Sequence, residues 1–157
     1  MLSPEEKKEI DEELATLPYR RAASIGALKA VQKHRGWVDD DGLKDIAEYL
    51  DMSVHELDGV AGFYSMIFRH PVGRHVILVC DGPPCWIGGY EGIMQYLEKK
   101  LRISAGQTSE NGAFTLLTMP CIGLCDKAPA MIIDTTPYTR LTPEKIDRIL
   151  EDVSKDD

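Results

Sequence analysis

All four cysteines of the chain fall in two closely spaced pairs, and these are the residues best suited to chemistry. Cys80 and Cys85 have the spacing C-x4-C, and Cys121 and Cys125 follow after 35 intervening residues with the spacing C-x3-C. Each pair follows an apolar run and is flanked by glycine and proline, so we expect both pairs on loops at strand ends. Two loops that each carry two thiols can converge on one point, which is the geometry of a four-thiolate site.

Several kinds of site are compatible with four cysteines. Soft thiolates bind either structural zinc or an iron–sulfur cluster. Zinc sites favour the tighter C-x2-C spacing, whereas the wider loops of this chain suit the two separate irons of a [2Fe-2S] cluster. Two disulfides, or four ordinary buried thiols, are the simpler alternatives. The spacing favours the iron–sulfur cluster and leaves zinc and unligated thiols open.

Other residue types offer weaker candidates. A Rieske centre needs two histidines interleaved with two cysteines, and none of His34, His55, His70 and His75 lies within either cysteine loop. The glycine-rich run 88–92 matches neither a dinucleotide fingerprint nor a P-loop. The C-x4-C spacing is also wider than the C-x-x-C of dithiol oxidoreductases. We therefore expect no catalytic acid, base or nucleophile in this chain.

The composition indicates a soluble cytoplasmic protein. A length of 157 residues and a hydrophobic fraction of 43% are enough for one domain with a core, or for one domain and a small appendage. The net charge of −8 excludes a general nucleic-acid electrostatic footprint. The longest apolar run, 76–80, is too short to span a membrane, and the N-terminus lacks the features of a signal peptide. In a reducing compartment, metal ligation is a better use of paired cysteines than disulfides.

Residues 1–70 predict a bundle of helices. Capping boxes begin at Ser3 and at Ser53, and the acidic run Asp39–Asp41 is suited to the start of another helix. Apolar residues recur between these signals with helical spacing. In the fourth helix we expect the inward-facing residues to be Leu57, Val60, Ala61 and Tyr64.

After residue 70 the pattern changes to strands alternating with helices. Runs 76–79, 114–118 and 130–133 are typical of strands, and helices are predicted after Gly89 and after Thr142. Strand, helix, two or more strands and helix is a thioredoxin-like order. The predicted fold class is α+β, with a helical bundle over residues 1–70 followed by a thioredoxin-like domain over residues 71–157.

The cysteine motifs resemble those of the [2Fe-2S] subunit of bacterial respiratory complex I, the 24 kDa subunit family of NADH–quinone oxidoreductase. The same module is found in soluble formate dehydrogenases and NAD-linked hydrogenases. Gly82-Pro83-Pro84, inside the first cysteine motif, departs from the family pattern. The resemblance covers nearly the whole chain and includes Arg21–Ile25, Val31–Trp37, Gly59–Tyr64, Arg69–Val76, Gly106–Thr108, Gly112–Leu116 and the run from Cys121 to Pro129.

The resemblance implies a thioredoxin-like [2Fe-2S] ferredoxin domain that holds one [2Fe-2S] cluster. Its ligands would be Cys80, Cys85, Cys121 and Cys125, with the first pair on one iron and the second pair on the other. Because all four ligands are thiolates, the cluster would have a low reduction potential.

The resemblance also implies a subunit without catalytic residues of its own, most simply a subunit of NADH:quinone oxidoreductase. It would exchange one electron with FMN in a partner subunit that binds NADH, with the helical bundle over residues 1–70 as the docking module. The complex would lie on the cytoplasmic side of the bacterial inner membrane, and this chain would not enter the membrane. The alternatives are the same module in a soluble formate dehydrogenase or hydrogenase, and a zinc-stabilised interaction module.

Overall fold

Helices form the first part of the chain, and helices together with a four-stranded sheet form the second part. The computed structural model describes residues 1–155. The chain forms two compact units, Met1–Pro71 and Val72–Asp157.

Four α-helices make up the first unit. They are α1 (Pro4–Leu14), α2 (Ser24–Arg35), α3 (Asp40–Leu50) and α4 (Val54–Phe63), and a short 3-10 turn precedes α2. The predicted helix starts are confirmed, because α1 and α4 begin with complete capping boxes at Ser3 and Ser53. The carboxylate of Asp39 likewise caps α3 by accepting a hydrogen bond of 2.6 Å from the backbone N–H of Gly42.

The core of the first unit consists of the apolar faces of these helices. Leu57 and Ala61 face it as predicted, and Val60 packs against it while half-buried. The prediction for Tyr64 was wrong, because α4 ends at Phe63 and Tyr64 continues in extended conformation with an exposed side chain. The largest fully buried apolar residues of this unit are Ile10, Leu28, Ile46, Leu50 and Leu57.

A buried ion pair joins α1 to α2. Glu6, only 1% exposed, accepts hydrogen bonds from the guanidinium of Arg35 at 2.7 and 2.8 Å and from the backbone N–H of Ser3 at 2.8 Å. Hydrogen bonding with Arg35 is the main reason why the pKa of Glu6 lies below its ordinary value. The same carboxylate therefore completes the capping box of α1 and fixes the packing of α1 on α2.

The second unit contains a four-stranded sheet with the strand order β2-β1-β3-β4. Strands β1 and β2 are parallel, whereas β1 and β3 and also β3 and β4 are antiparallel. The three predicted strands are confirmed, and β4 was not predicted because it is short and contains Pro137, which suits an edge strand. The strands are β1 (His75–Cys80), β2 (Phe114–Met119), β3 (Ala130–Ile133) and β4 (Thr136–Thr139).

Three helices accompany this sheet. They are α5 (Pro83–Ile87), α6 (Tyr90–Leu101) and α7 (Pro143–Val153). Apolar residues of α6 and α7 form one buried cluster with Ile77, Val79 and other inward side chains of the sheet. Leu101, the last residue of α6, is half-buried and packs against this cluster. This packing leaves the carboxyl ends of β1 and β2 for the cysteine segments.

Replacing Arg35 by alanine should destabilise the first unit by about 3–5 kcal/mol, because the buried Glu6 carboxylate would lose its counter-charge. Lys33→Ala is the matched control, since Lys33 pairs with Glu9 in a largely exposed ion pair that should contribute about 1 kcal/mol or less. Urea unfolding followed by Trp37 fluorescence in a Trp86→Phe background would measure both changes. Equal losses for the two variants would contradict the role given to the Glu6–Arg35 pair.

Candidate metal centre

The first contribution to the site is the parallel pairing of β1 and β2, which brings their carboxyl ends to one edge of the sheet. Cys80, the last residue of β1, lies directly opposite Met119, the last residue of β2. The backbone N–H of Asp81 continues this ladder by donating to the carbonyl of Met119 at 3.0 Å. Both cysteine segments therefore leave the sheet side by side.

The strand order then forces the two segments to meet. Strands β2 and β3 lie on opposite sides of β1, so the segment 120–129, which joins them, has to pass over the carboxyl end of β1. Val79 pairs with Met131, which places the start of β3 beside the end of β1. The segment carrying Cys121 and Cys125 thus passes over the point where Cys80 leaves the sheet.

The first cysteine segment, residues 80–88, does not form the loop that was predicted. Cys80 still belongs to β1, and Cys85 lies within the short helix α5. Proline at the start of a helix has a suitable φ and loses no hydrogen bond there, so Pro83 and Pro84 favour this turn. The backbone N–H of Trp86 donates to the carbonyl of Gly82 at 2.9 Å and closes it. The sequence prediction missed α5 because prolines so close to a cysteine were interpreted as loop signals.

The second cysteine segment, residues 120–129, is held by backbone hydrogen bonds. Cys121 lies in the loop after β2, and Cys125 begins a 3-10 turn. The backbone N–H of Gly123, whose φ is +76°, donates to the sulfur of Cys121 at 3.4 Å. Farther along, the carbonyls of Lys127 and Pro129 accept hydrogen bonds from backbone N–H groups that follow β4. These bonds fix the segment against the end of the sheet.

The two pairs of thiols differ in burial. Cys80 and Cys85 are buried and form an apolar cluster with Ala130, whereas Cys121 and Cys125 are exposed. Half-buried apolar residues of the second segment, namely Ile122, Leu124 and Ala128, pack against this cluster. The site therefore has an inner pair of thiols and an outer pair.

Electrostatic interactions link the four thiols. Burial raises the pKa of Cys85 to about 11, and hydrogen bonding with the neighbouring thiol of Cys80 contributes to this rise. The pKa of Cys125 is raised by desolvation and by hydrogen bonding with Cys121. Smaller effects act across the pairs, from Cys125 on Cys85 and from Cys80 on Cys125. The two pairs of thiols therefore influence each other across the two segments, although the stronger interactions lie within each pair.

These donors have the chemistry of an iron–sulfur site. Four soft sulfur atoms approach from two segments, and a backbone N–H already donates to one of them, which is how proteins stabilise and tune such sulfur ligands. Within residues 1–155, no group of three or more His, Cys, Asp or Glu side chains is drawn together closely enough for a single metal ion. The closest thiol interactions lie within each of the two pairs.

Two of the histidines contact carboxylates, and neither contact involves a cysteine. His34 contacts Glu9 at 3.1 Å, and His75 contacts Asp134 at 2.7 Å. The glycine-rich run 88–92 connects α5 to α6, with Gly89 at a φ of +102° as the residue before α6.

Comparison with known proteins decides the family. The family model described as "Thioredoxin-like [2Fe-2S] ferredoxin" matches residues 10–154. The chain belongs to the thioredoxin-like [2Fe-2S] ferredoxin family. This confirms the predicted fold class and the kind of cofactor, a [2Fe-2S] cluster.

Relatives within this family confirm the resemblance that the sequence indicated. The NADH-quinone oxidoreductase subunit designated E in Escherichia coli (strain K12) is 52% identical over 150 residues, which cover 96% of this chain and 90% of the relative. The subunit of the same name from Pseudomonas aeruginosa is 47% identical over 151 residues, which cover 96% of this chain and 91% of the relative.

A solved structure with a similar fold is the NAD+-reducing [NiFe]-hydrogenase in the H2-reduced state. It superimposes with a TM-score of 0.72 at 25% identity, and the match covers 85% of this chain and 23% of that chain. The present chain therefore corresponds to about a quarter of the hydrogenase chain.

The raised pKa of Cys85 predicts that the metal-free protein loses stability at alkaline pH. In the unfolded chain this thiol ionises near 9.0, whereas in the folded chain it stays neutral until the pH approaches about 11. The unfolded state alone releases the proton between these values, so the free energy of unfolding should fall as the pH rises from 9.0 towards 11. Urea titrations of the metal-free protein across this interval would measure the fall.

Cys85→Ala is the control for this measurement, because it removes the thiol while keeping a small apolar side chain. The variant should show a shallower loss of stability with pH over the same interval. Parallel curves for the wild type and the variant would contradict the assignment of the pKa shift to Cys85.

Proposed function

We propose that the chain is the [2Fe-2S] electron-transfer subunit of an NADH:quinone oxidoreductase, in which it exchanges one electron with FMN in a partner subunit that binds NADH. The observation that carries this proposal is the meeting of two cysteine pairs over the carboxyl end of β1. Relatives named as subunits of this complex, at 47–52% identity over 96% of the chain, support the choice of host complex.

The chain's own residues would provide ligands and their surroundings. Cys80 and Cys85 would hold the inner iron, and Cys121 and Cys125 the outer iron. The N–H of Gly123, which donates to the sulfur of Cys121, would offset the negative charge of that thiolate. When bound, a [2Fe-2S] cluster supplies one-electron redox chemistry. No side chain of this chain is needed as an acid, base or nucleophile.

A subunit of an NAD-linked hydrogenase is the second candidate. The structural similarity to the NAD+-reducing hydrogenase favours it, but the identity is 25% there and about twice as high to the quinone oxidoreductase subunits. A zinc-stabilised interaction module has weaker support, because residues 10–154 match a [2Fe-2S] family.

Replacing any one of Cys80, Cys85, Cys121 and Cys125 by alanine should lower the cluster content of the purified protein by about tenfold or more, because each substitution removes one of four ligands. Iron and acid-labile sulfide per chain would measure this, together with visible circular dichroism. Thr118→Ala is the control, since Thr118 is an exposed residue of β2 near the site. A cysteine variant that keeps the full cluster content would contradict the ligand assignment for that residue.

We also propose which side chains contact the partner subunit. In the first unit, Phe63 is 79% exposed and forms an edge-to-face ring pair with Tyr64. In the second unit, Trp86 and Ile87 directly follow Cys85 on α5 and are 58% and 84% exposed. Large exposed apolar groups of this kind mark interaction surfaces, and tryptophan is among the residues that contribute most to binding. The cationic side chains of Arg21, Lys33 and Arg35 are weaker candidates for partner contacts, because each forms an ion pair within the first unit.

Substituting these side chains should weaken assembly without loss of the cluster. Trp86→Ala and Phe63→Ala should each raise the Kd for the flavin-bearing subunit by about tenfold or more, because each removes a large apolar contact. Tyr19→Ala is the control, because Tyr19 is 64% exposed in the first unit but lies apart from these groups in sequence. Titration calorimetry with the cluster-loaded protein would measure the dissociation constants of the three variants.

The outcomes of this titration separate the two surfaces. If only one of the two variants weakens binding to the flavin-bearing subunit, docking is assigned to the unit that carries the substituted residue. If neither variant weakens binding more than Tyr19→Ala does, the proposed contact residues are wrong.

The proposed location is the peripheral arm of the complex at the cytoplasmic side of the bacterial inner membrane. No helix among the described residues 1–155 has the length and apolar character needed to cross a bilayer. We therefore assign membrane attachment of the complex to other subunits.

A further inference from the structure

Two glycines of the first cysteine segment have backbone conformations that do not require glycine. Gly82 has φ −61° and ψ 158°, and Gly88 has φ −73° and ψ 0°. Any residue with a side chain can adopt these dihedral angles. By contrast, Gly89 and Gly123 have φ values of +102° and +76°, where glycine is favoured. The reason for glycine at positions 82 and 88 therefore has to be the space around them.

The space beside Gly82 is filled by the second cysteine segment. A Cβ atom on Gly82 would lie 2.6 Å from the carbonyl oxygen of Pro120 and 3.6 Å from the sulfur of Cys80. Pro120 directly precedes Cys121. The missing side chain thus allows the beginning of the second segment to approach the first segment at the inner thiol.

The space beside Gly88 is filled by the other end of the same segment. A Cβ atom on Gly88 would lie 3.1 Å from the carbonyl oxygen of Pro84, 3.3 Å from Cβ of Ala128 and 3.4 Å from the nitrogen of Pro129. Ala128 and Pro129 end the second segment just before β3. The two glycines therefore contact the segment 120–129 at its beginning and at its end, on either side of Cys121 and Cys125.

We propose that Gly82 and Gly88 are positioning residues that set the distance between the inner and the outer pair of thiols. Neither glycine has a side chain that could bind a ligand, so both act through the backbone of the second segment. The inference rests on the proposed function in one respect, namely that this distance determines how well the four cysteines hold a [2Fe-2S] cluster. The placement of the two thiol pairs in the metal-free chain does not depend on the proposed function.

The two positions differ in the effect that a methyl group should have. At Gly82 the contact of 2.6 Å is with a backbone oxygen, so the second segment has to move. At Gly88 the contacts of 3.1–3.4 Å require a displacement of only a few tenths of an ångström. Alanine at position 82 should therefore disturb the site more than alanine at position 88.

The test compares Gly82→Ala and Gly88→Ala with Gly92→Ala. Gly92 lies in α6 in the same unit, and a Cβ atom there would meet nothing within 4 Å. In cluster-loaded protein, Gly82→Ala should lose its iron to a chelator about tenfold faster or more than the wild type, with altered EPR g-values after reduction. Gly88→Ala should show a smaller change in the same direction, and Gly92→Ala should match the wild type.

A second measurement uses the metal-free protein and is independent of the cluster. Copper-phenanthroline oxidises two thiols to a disulfide while copper is reduced, and mass spectrometry identifies bonds between the inner and the outer pair. Gly82→Ala should form these inter-pair disulfides several-fold more slowly than Gly92→Ala, because its thiol pairs lie farther apart. Urea midpoints of the metal-free variants would show whether general unfolding contributes to the change.

These measurements distinguish the positioning role of Gly82 and Gly88 from the proposed function. A wild-type protein that binds no iron would contradict the proposed function, and the inter-pair disulfide rates would still test the positioning role. Gly82→Ala that matches Gly92→Ala in chelator rate, EPR signal and disulfide rate would overturn the inference. A lower urea midpoint with an unchanged EPR signal would also overturn it, because it would indicate a merely structural effect.

Discussion

The site depends on one topological constraint, the position of β1 between β2 and β3. Because β2 is parallel to β1, the two strands end at the same edge of the sheet. Because β3 lies on the far side of β1, the connection from β2 has to cross the place where β1 ends. Strand pairing thereby brings the two segments that carry the cysteines, which are far apart in sequence, to the same edge of the sheet. The remaining features of the site refine the distance, burial and charge of the thiols.

Burial of the Cys85 thiol favours its neutral form in the metal-free protein, whereas cluster binding requires the thiolate form. Desolvation keeps the thiol of Cys85 neutral, as its raised pKa indicates, and the neutral form packs well against Ala130. Metal ligation requires the thiolate, so cluster binding has to displace these protons and provide the compensating positive charge. The exposed outer pair, which lies on the second segment next to solvent, has the access that assembly and electron exchange require.

Much of this fold follows from local signals that a single sequence contains. The capping residues Ser3, Asp39 and Ser53 begin their helices as predicted, because side-chain capping depends on neighbours only three residues away. The spacing of the four cysteines also predicted a shared four-thiolate site, and this ligand set stays a prediction. The helix α5 and the exposure of Tyr64 were not predictable in the same way. Proline permits both a loop and the first turn of a helix, and no glycine or proline directly follows α4 in the sequence to mark its end. The contacts of Gly82 and Gly88 depend on strand order, which a single sequence does not show.

We propose that the two cysteine pairs hold one [2Fe-2S] cluster used for one-electron transfer, while NADH and flavin chemistry belongs to a partner subunit. The most direct test is the iron, zinc and acid-labile sulfide content of anaerobically purified wild-type protein, with EPR spectroscopy after reduction by dithionite. We expect about two irons and two sulfides per chain and an S = 1/2 signal that appears on reduction. One zinc per chain, without sulfide or an EPR signal, would contradict it and identify the site as structural zinc.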